Sequence, residues 1–319
     1  MSDLRFNVEL TPPDISPYRA GNTGVDYVTT FAAGEPGPHV AVLGLTHGNE
    51  ICGAIAIDRL FRAGIRPRRG KLTLGFNNVA AYLEFDARYP VASRYIDEDF
   101  NRLWSPATLD GPRRSAELER ARAMRPIVDA ADYLLDLHSM QYATAPLMLA
   151  GTLDKSRELA RNVGIPEIVM CDPGHAAGPR MRDYGGFGDP ASPKTALLIE
   201  AGQHWEKRAA EVATDVTLRF LIALGTVTRD DVAALGGRDF VAAPKQRVIE
   251  VTEAVTITGS RFEFVAPYVG LEVIAKKGTV IGHDDDREIR TPYDDCVLIM
   301  PSRRLIKGQT AVRLGRYVA

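Results

Sequence analysis

The stretch "VLGLTHGNEICGAIAIDRL" (42–60) decides how this chain folds. Val42-Leu43-Gly44-Leu45 is an apolar run, His47 stands at its end, and Glu50 follows three residues later. From there Ile51, Ala54, Ile55, Leu60 and Phe61 recur at intervals of three and four. The continuous run reads as a buried strand, and the 3–4 spacing as a helix packed on it. The strand extends back as "HVAVLGLTH" (39–47), and the helix forward as "EICGAIAIDRLFRAG" (50–64), where Gly64 supplies a stop. Gly48 is expected to let the backbone turn sharply between them.

The same alternation continues outward. "GKLTLGFNN" (70–78), "DYLLDLHSM" (132–140), "LMLAG" (147–151), "EIVMCD" (167–172) and "KTALLIEAG" (194–202) read as strands. "SAELERARAMRPIVDAA" (115–131), "KSRELARNVG" (155–164) and a segment from Glu206 to Leu224 read as helices. Strands alternating with helices predict an α/β layer with a mixed, mostly parallel sheet flanked by helices. After the linker "VTRDDVAALGGRDFVAAP" (227–244) the texture changes to short alternating runs with Gly-containing turns such as "KKGTVIG". We expect a catalytic α/β domain over 1–235 and a C-terminal all-β domain over 236–319.

Composition narrows the class of partner. Of 319 residues, 45% are hydrophobic, enough for a sizeable core, and 39 basic against 41 acidic residues leave a net charge of -2. That balance carries no nucleic-acid or membrane-surface footprint, so a small-molecule substrate is expected. Self-association into a homo-oligomer stays open. The N-terminus has no apolar h-region, and no run approaches the ~18 apolar residues of a membrane helix. Cys52, Cys171 and Cys296 are widely spaced, which fits a reduced, cytoplasmic setting. Cys52 itself reads as core packing.

Four strand ends carry polar residues out of keeping with a core: His47 and Glu50; then "RYIDEDFNRLW", with Arg94, Asp99, Asn101 and Arg102; then Asp136-Leu137-His138; then Glu200. Ligands of open α/β sheets bind outside the carboxyl ends of strands, so these residues converge if the strands are parallel neighbours. Two imidazoles and a carboxylate form a common catalytic zinc set with a fourth position left for water, which nominates His47, Glu50 and His138. Asp136, two residues before His138, shares its strand face, and whether it orients the ring is left open by the sequence. H-x-x-E alone is a weak signal, and an isolated His47 would read as a strand-end histidine bonded to backbone.

The ordered set "GLTHGNE", "SRYIDEDFNRLW", "LLDLHS" and "LLIEAGQ" resembles the succinylglutamate desuccinylase/aspartoacylase family, relatives of the zinc carboxypeptidases. The resemblance covers roughly residues 38–205 and extends loosely to the C-terminal β domain. It implies one zinc per chain on His47, Glu50 and His138, Arg94 polarising the scissile carbonyl, and Glu200 as general base and acid. It also implies that Asn101 and Arg102 grip a substrate carboxylate. The family's D-L-N-R appears here as Asp99-Phe100-Asn101-Arg102, a packing change.

One departure bears on substrate. Aspartoacylases carry another arginine about ten residues before the catalytic Glu, where this chain has Pro190. Arg180 and Arg182, in the Gly-rich loop "CDPGHAAGPRMRDYGGFG" (171–188), are candidate substitutes, and that loop is expected to lie over the site. His175 in the loop reads as exposed, Lys194 as a solvated strand start, and Tyr293 as a candidate contact from the β domain. The expected activity is zinc-dependent hydrolysis of an N-acyl amino acid or similar small carboxylate-bearing amide, with zinc-bound water as nucleophile. The alternatives are a carboxypeptidase-like metallopeptidase and a non-catalytic small-molecule-binding protein on the same fold. No Walker or Rossmann glycine fingerprint supports a nucleotide-binding module.

Overall fold

A computed structural model describes residues 6–174, 177–234, 240 and 242–318. His175 lies outside the described residues. Strands β1 (Val28–Ala32), β2 (Glu35–Gly44), β3 (Arg69–Phe76), β4 (Tyr133–Met140), β5 (Leu147–Leu149), β6 (Ile168–Cys171) and β7 (Thr195–Gln203) make up the first part. The second part holds β8 (Arg247–Thr256), β9 (Phe262–Phe264), β10 (Glu272–Ile274), β11 (Val280–Asp284), β12 (Arg287–Arg290), β13 (Cys296–Ile299) and β14 (Thr310–Val318). The helices are α1 (Ile51–Arg62), α2 (Val79–Leu83), α3 (Pro106–Leu109), α4 (Ala116–Ala130), α5 (Asp154–Val163), α6 (Lys207–Ala223) and α7 (Arg229–Ala234). The last of these falls inside the segment read from sequence as a linker.

Eleven strands form one sheet in the order β1-β3-β2-β4-β7-β5-β6-β8-β14-β13-β10. The run β3-β2-β4-β7 is parallel throughout. β5 pairs antiparallel with β7 and parallel with β6, and β1, β14, β13 and β10 also pair antiparallel, so the sheet is mixed. β8 pairs parallel with β6, which carries the α/β sheet directly into the C-terminal strands. A separate antiparallel sheet, β12-β11-β9, lies in that second part.

The central strands are apolar without alternation because both faces are covered. Val40, Val42, Leu135, Leu137, Leu197 and Ile199 pack with α1 and α6 residues in one cluster. Ala41, Leu43, Leu134 and Ala196 meet α4 through Leu118, Ala121, Met124 and Val128 in another. A Cβ added at Gly53, in the first turn of α1, would lie 3.1 Å from the Leu137 Cβ. That close approach seats the start of α1, and with it Glu50, against β4.

Candidate metal centre and substrate cleft

The turn after β2 does not bend as its sequence suggests. The left-handed residue is Leu45, with φ of 60°, buried at the strand end, and this re-aims Thr46 and His47. Gly48 is needed for a different reason: a Cβ there would fall 2.4 Å from the Ala81 carbonyl carbon. Its N–H donates to the Arg94 carbonyl at 3.0 Å, tying the His47 turn to the Arg94 segment.

His47, Glu50 and His138 meet in one buried cluster, with ligand atoms all within 4.8 Å of one another. Glu50, at the N-cap of α1, places Oε1 2.7 Å from His47 Nδ1 and Oε2 2.8 Å from His138 Nδ1. The outer ring nitrogens meet carboxylates: His47 Nε2 lies 2.9 Å from Asp99 and His138 Nε2 2.8 Å from Asp136. Arg94 Nη2 also lies 2.8 Å from His47 Nε2 and Asn101 Nδ2 3.3 Å from His138 Nε2, and both Nδ1 atoms point at Glu50. Thr46 donates to Asp136 at 2.6 Å, and Asn77 donates to Thr46 at 2.9 Å, so the His138 orientation is fixed from two strands away.

The electrostatics invite a cation. Burial disfavours charge on Glu50, yet His47 and His138 hold its carboxyl well below the usual carboxylate range. Burial likewise opposes charge on His138, but Asp136 and Glu50 pull the imidazole well above its ordinary value. Negative charge that strongly attracts a proton between two imidazoles would equally attract a divalent metal. The donor set and its buried, preoriented geometry therefore fit a zinc-type ion.

Glu200 on β7 sits opposite His138 in the β4–β7 register. Its Oε2 is buried and has no hydrogen-bond partner among the described residues. Burial, reinforced by Glu50 and Asp136 and opposed by His138 and Arg94, pushes its carboxyl up to about 8. Arg94 ends a 3-10 turn (Ala92–Arg94) and pairs with Asp99 at 3.1 Å. Asn101 and Arg102 lie on a second 3-10 turn, Phe100–Arg102. All six residues, His47, Glu50, Arg94, Arg102, His138 and Glu200, line one cleft of about 570 Å³ together with Asn101.

Other sequence candidates are placed differently. Asn101 is buried, and its amide oxygen accepts from Met181 N–H at 2.8 Å, so it anchors the Gly-rich loop. Arg180 lines the cleft but is bound to Asp183 at 2.7 Å and Asp172 at 3.3 Å. Arg182 does not reach the cleft: it is buried and donates to the carbonyls of Ala150 and Ala196. Tyr293 packs at the edge of the outer β cluster and bonds to Thr252 at 2.6 Å, away from the lining. Tyr268, between β9 and β10, and Arg313, on β14, reach the cleft instead. Arg313 lies in a run of the C-terminal segment that carries no motif to single it out. His204, bonded to Ser139 at 2.8 Å, also lines the cleft, and burial lowers it to about 3.

Glu117 is the residue least visible in the sequence. It is fully buried in the first turn of α4 and accepts from three consecutive backbone N–H groups, those of Ile96, Asp97 and Glu98, at 2.7, 3.0 and 3.2 Å. Asn78 adds a fourth bond at 2.9 Å. Glu117 thus clamps the segment between Arg94 and Arg102.

A mixed α/β sheet with a preoriented His-Glu-His cluster at the carboxyl ends of its parallel strands defines a class of candidate metal site. The chain belongs to the family described as "Succinylglutamate desuccinylase/Aspartoacylase catalytic domain", whose model matches residues 36–217. Among curated relatives, it is 33% identical over 120 residues to the N-acyl-aromatic-L-amino acid amidohydrolase (carboxylate-forming) of Rattus norvegicus, covering 35% of this chain and 36% of that protein. It is 30% identical over 121 residues to the aspartoacylase of Mus musculus, covering 35% of this chain and 37% of the relative. The matches thus span little more than a third of those proteins. In fold the chain is similar to the succinylglutamate desuccinylase structure from Vibrio parahaemolyticus, with a TM-score of 0.69 at 16% identity, covering 92% of this chain and 87% of that one. A succinylglutamate desuccinylase/aspartoacylase structure from Rhodobacter sphaeroides gives 0.63 at 20% identity, covering 92% and 90%.

Proposed function

We propose that this protein hydrolyses the amide bond of an N-acyl amino acid, or of a similar small carboxylate-bearing amide, in a zinc-dependent reaction. Water is consumed, and a carboxylate and a free amine are released. The observation that supports this best is the opposition of Glu200 to a His47–Glu50–His138 cluster whose Nδ1 atoms converge. A zinc ion held by those three residues would supply Lewis acidity toward the scissile carbonyl and make water acidic enough to ionise near neutral pH.

The remaining work belongs to the chain itself. Glu200, whose Oε2 has no hydrogen-bond partner among the described residues, accepts the proton of the attacking water and passes it to the departing nitrogen. Arg94 donates to the oxyanion that develops on the carbonyl, a role worth roughly 3–4 kcal/mol for one donor in comparable sites. Arg102 binds the substrate carboxylate with its two-pronged guanidinium. Asp99 and Asp136 hold the outer edges of the two imidazoles, so that both Nδ1 atoms point at Glu50. Residues 1–235 act as the catalytic part, and 236–319 act as a β cap that narrows the cleft against water and long peptides.

The test combines metal analysis with kinetics. Purified protein should hold about one zinc per chain and turn over N-acetyl amino acids faster than tripeptides. Glu200→Gln should keep the metal and lose turnover by about 10²–10⁴-fold. Full activity in metal-free protein would sink the reading, and a preference for peptides would replace it with the metallopeptidase.

A further inference from the structure

The cleft has two ends, and the order of the sheet separates them. Strands β4, β7, β5 and β6 stand side by side, with His138 on β4, Glu200 on β7 and Asp172 directly after β6. Arg180 and Arg313 both pair with Asp172. Burial, and then the nearby cations of Arg94, Arg180 and Arg313, pull the Arg102 guanidinium down to about 10 against the attraction of Asp99. The cationic end, Arg102 included, therefore lies on the β6 flank of Glu200. His204 lies on the other flank. It directly follows β7, and its N–H donates to the Met140 carbonyl of β4 at 2.8 Å.

His204 is 2% exposed, yet it lines the cleft. Burial pushes its imidazole down to about 3, and the charges that bear on it are those of Glu50, Arg94, His47 and His138. Its Nδ1 lies 2.8 Å from the Ser139 hydroxyl. No hydrogen bond reaches its Nε2 among the described residues. The other polar groups at this end are occupied. Gln203 accepts from the Trp205 N–H at 2.8 Å and donates to the Gln141 carbonyl at 3.1 Å. The Gln141 amide donates to the Tyr142 hydroxyl at 3.4 Å, and the exposed Asn7 amide donates to Glu9 at 3.2 Å. Phe6 walls this end, with its ring 6.2 Å from that of Tyr142 and 4.8 Å from that of Trp205, which favours a short occupant.

A buried ring nitrogen left without a partner is costly unless a ligand supplies one. The Ser139 hydroxyl can donate to Nδ1 or accept from it, which makes Nε2 a donor in the first case and an acceptor in the second. A ligand hydroxyl answers both, and a methyl group answers neither.

We propose that His204 Nε2 binds the acyl half of the substrate, and that the preferred acyl group is a short one with a hydroxyl on the carbon next to the carbonyl. This rests on the amide-hydrolase reading above, which sets the amino-acid carboxylate on Arg102 and so turns the acyl half toward the opposite end of the cleft. For an N-glycoloyl amino acid, the water oxygen joins the acyl carbon and the C–N bond breaks. The water proton reaches the departing nitrogen through Glu200, and glycolate and the free amino acid leave.

The test compares isosteric amides. Glycoloyl and propionyl groups differ by a hydroxyl in place of a methyl, and each is placed on alanine, phenylalanine and aspartate so that the outcome does not hang on one amine. With zinc-loaded enzyme, kcat/KM for the glycoloyl amide should exceed that for the propionyl amide roughly tenfold on every amine that turns over. His204→Phe should bring this ratio to one or below, whereas merely structural damage would lower both members together and leave the ratio standing. His204→Gln, which keeps a donor and an acceptor, should retain most of the ratio. The ratio in the unsubstituted enzyme is measured whether or not the variants fold. A ratio of one or less there, or a tenfold ratio that survives His204→Phe, overturns the proposal and leaves amide hydrolysis standing. Absence of turnover on every amide overturns both.

Discussion

Glu200 shows how one residue's surroundings set its chemistry. Its carboxyl is raised from an ordinary value of 4.5 to about 8 by burial among other carboxylates. The folded, metal-free protein thus holds a proton that the unfolded chain releases near 4.5. This contribution to stability is fully present below that pH and is lost as pH rises through about 8. Thermal melts of metal-free protein should therefore show a fall in Tm across this window that is diminished in Glu200→Gln. A nearby divalent cation favours the carboxylate, so added zinc should move the Glu200 titration downward, as read by isotope-edited NMR of the carboxyl carbon. His47, His138 and Glu200 stand out in the sequence as polar residues at the ends of apolar runs, and Glu50 as the carboxylate three residues past His47; the structure brings all four to one cleft. The orientation of those residues was not legible in the sequence. Leu45 adopts a positive φ that nothing in its residue type announces, and the Asn77–Thr46–Asp136 chain joins residues up to 90 positions apart.

At the scale of elements, the segment from Arg94 to Arg102 has only two short 3-10 turns among its described elements, yet it presents two of the cleft's arginines. Its order comes from α4, through Glu117. Glu117→Ala would leave three N–H groups without their charged acceptor. Each such bond is worth about 1.5–3 kcal/mol, so a stability loss of at least roughly 2 kcal/mol is expected in denaturant unfolding. Hydrogen exchange should rise selectively at the amides of residues 96–98, and kcat/KM should fall while metal content holds, because His47, Glu50 and His138 sit on other elements. Sequence reading placed every helix and strand of the α/β part longer than six residues, except at their ends, because their 3.6-residue and continuous apolar patterns are strong; the six-residue α7 was read as linker. It missed β1 and gave no sign that β5 runs antiparallel to β7, since strand direction depends on connections and not on local pattern.

Across the whole molecule, the cleft draws on both parts of the chain, with Arg313 on β14 and Met300 just past β13, both beyond the sequence match. Metal should act on this whole as a ligand of the folded state alone. Removing it by chelation should lower Tm, with roughly 2.7 kcal/mol lost relative to a metal concentration a hundred times Kd, and calorimetry with and without added zinc checks this. The texture change near residue 240 was plain in the sequence. The continuity of the sheet across it was not, because pairing partners of a strand leave no mark on its own residues. That continuity has a consequence for the backbone of β6. Its hydrogen-bonding edge is covered on one side by β5 and on the other by β8 alone. A chain cut before β8 would turn Ile168-Val169-Met170-Cys171, four buried apolar residues, into an open template for strands of neighbouring molecules. The C-terminal strands thus serve as a guard against self-templated aggregation as well as a wall of the cleft.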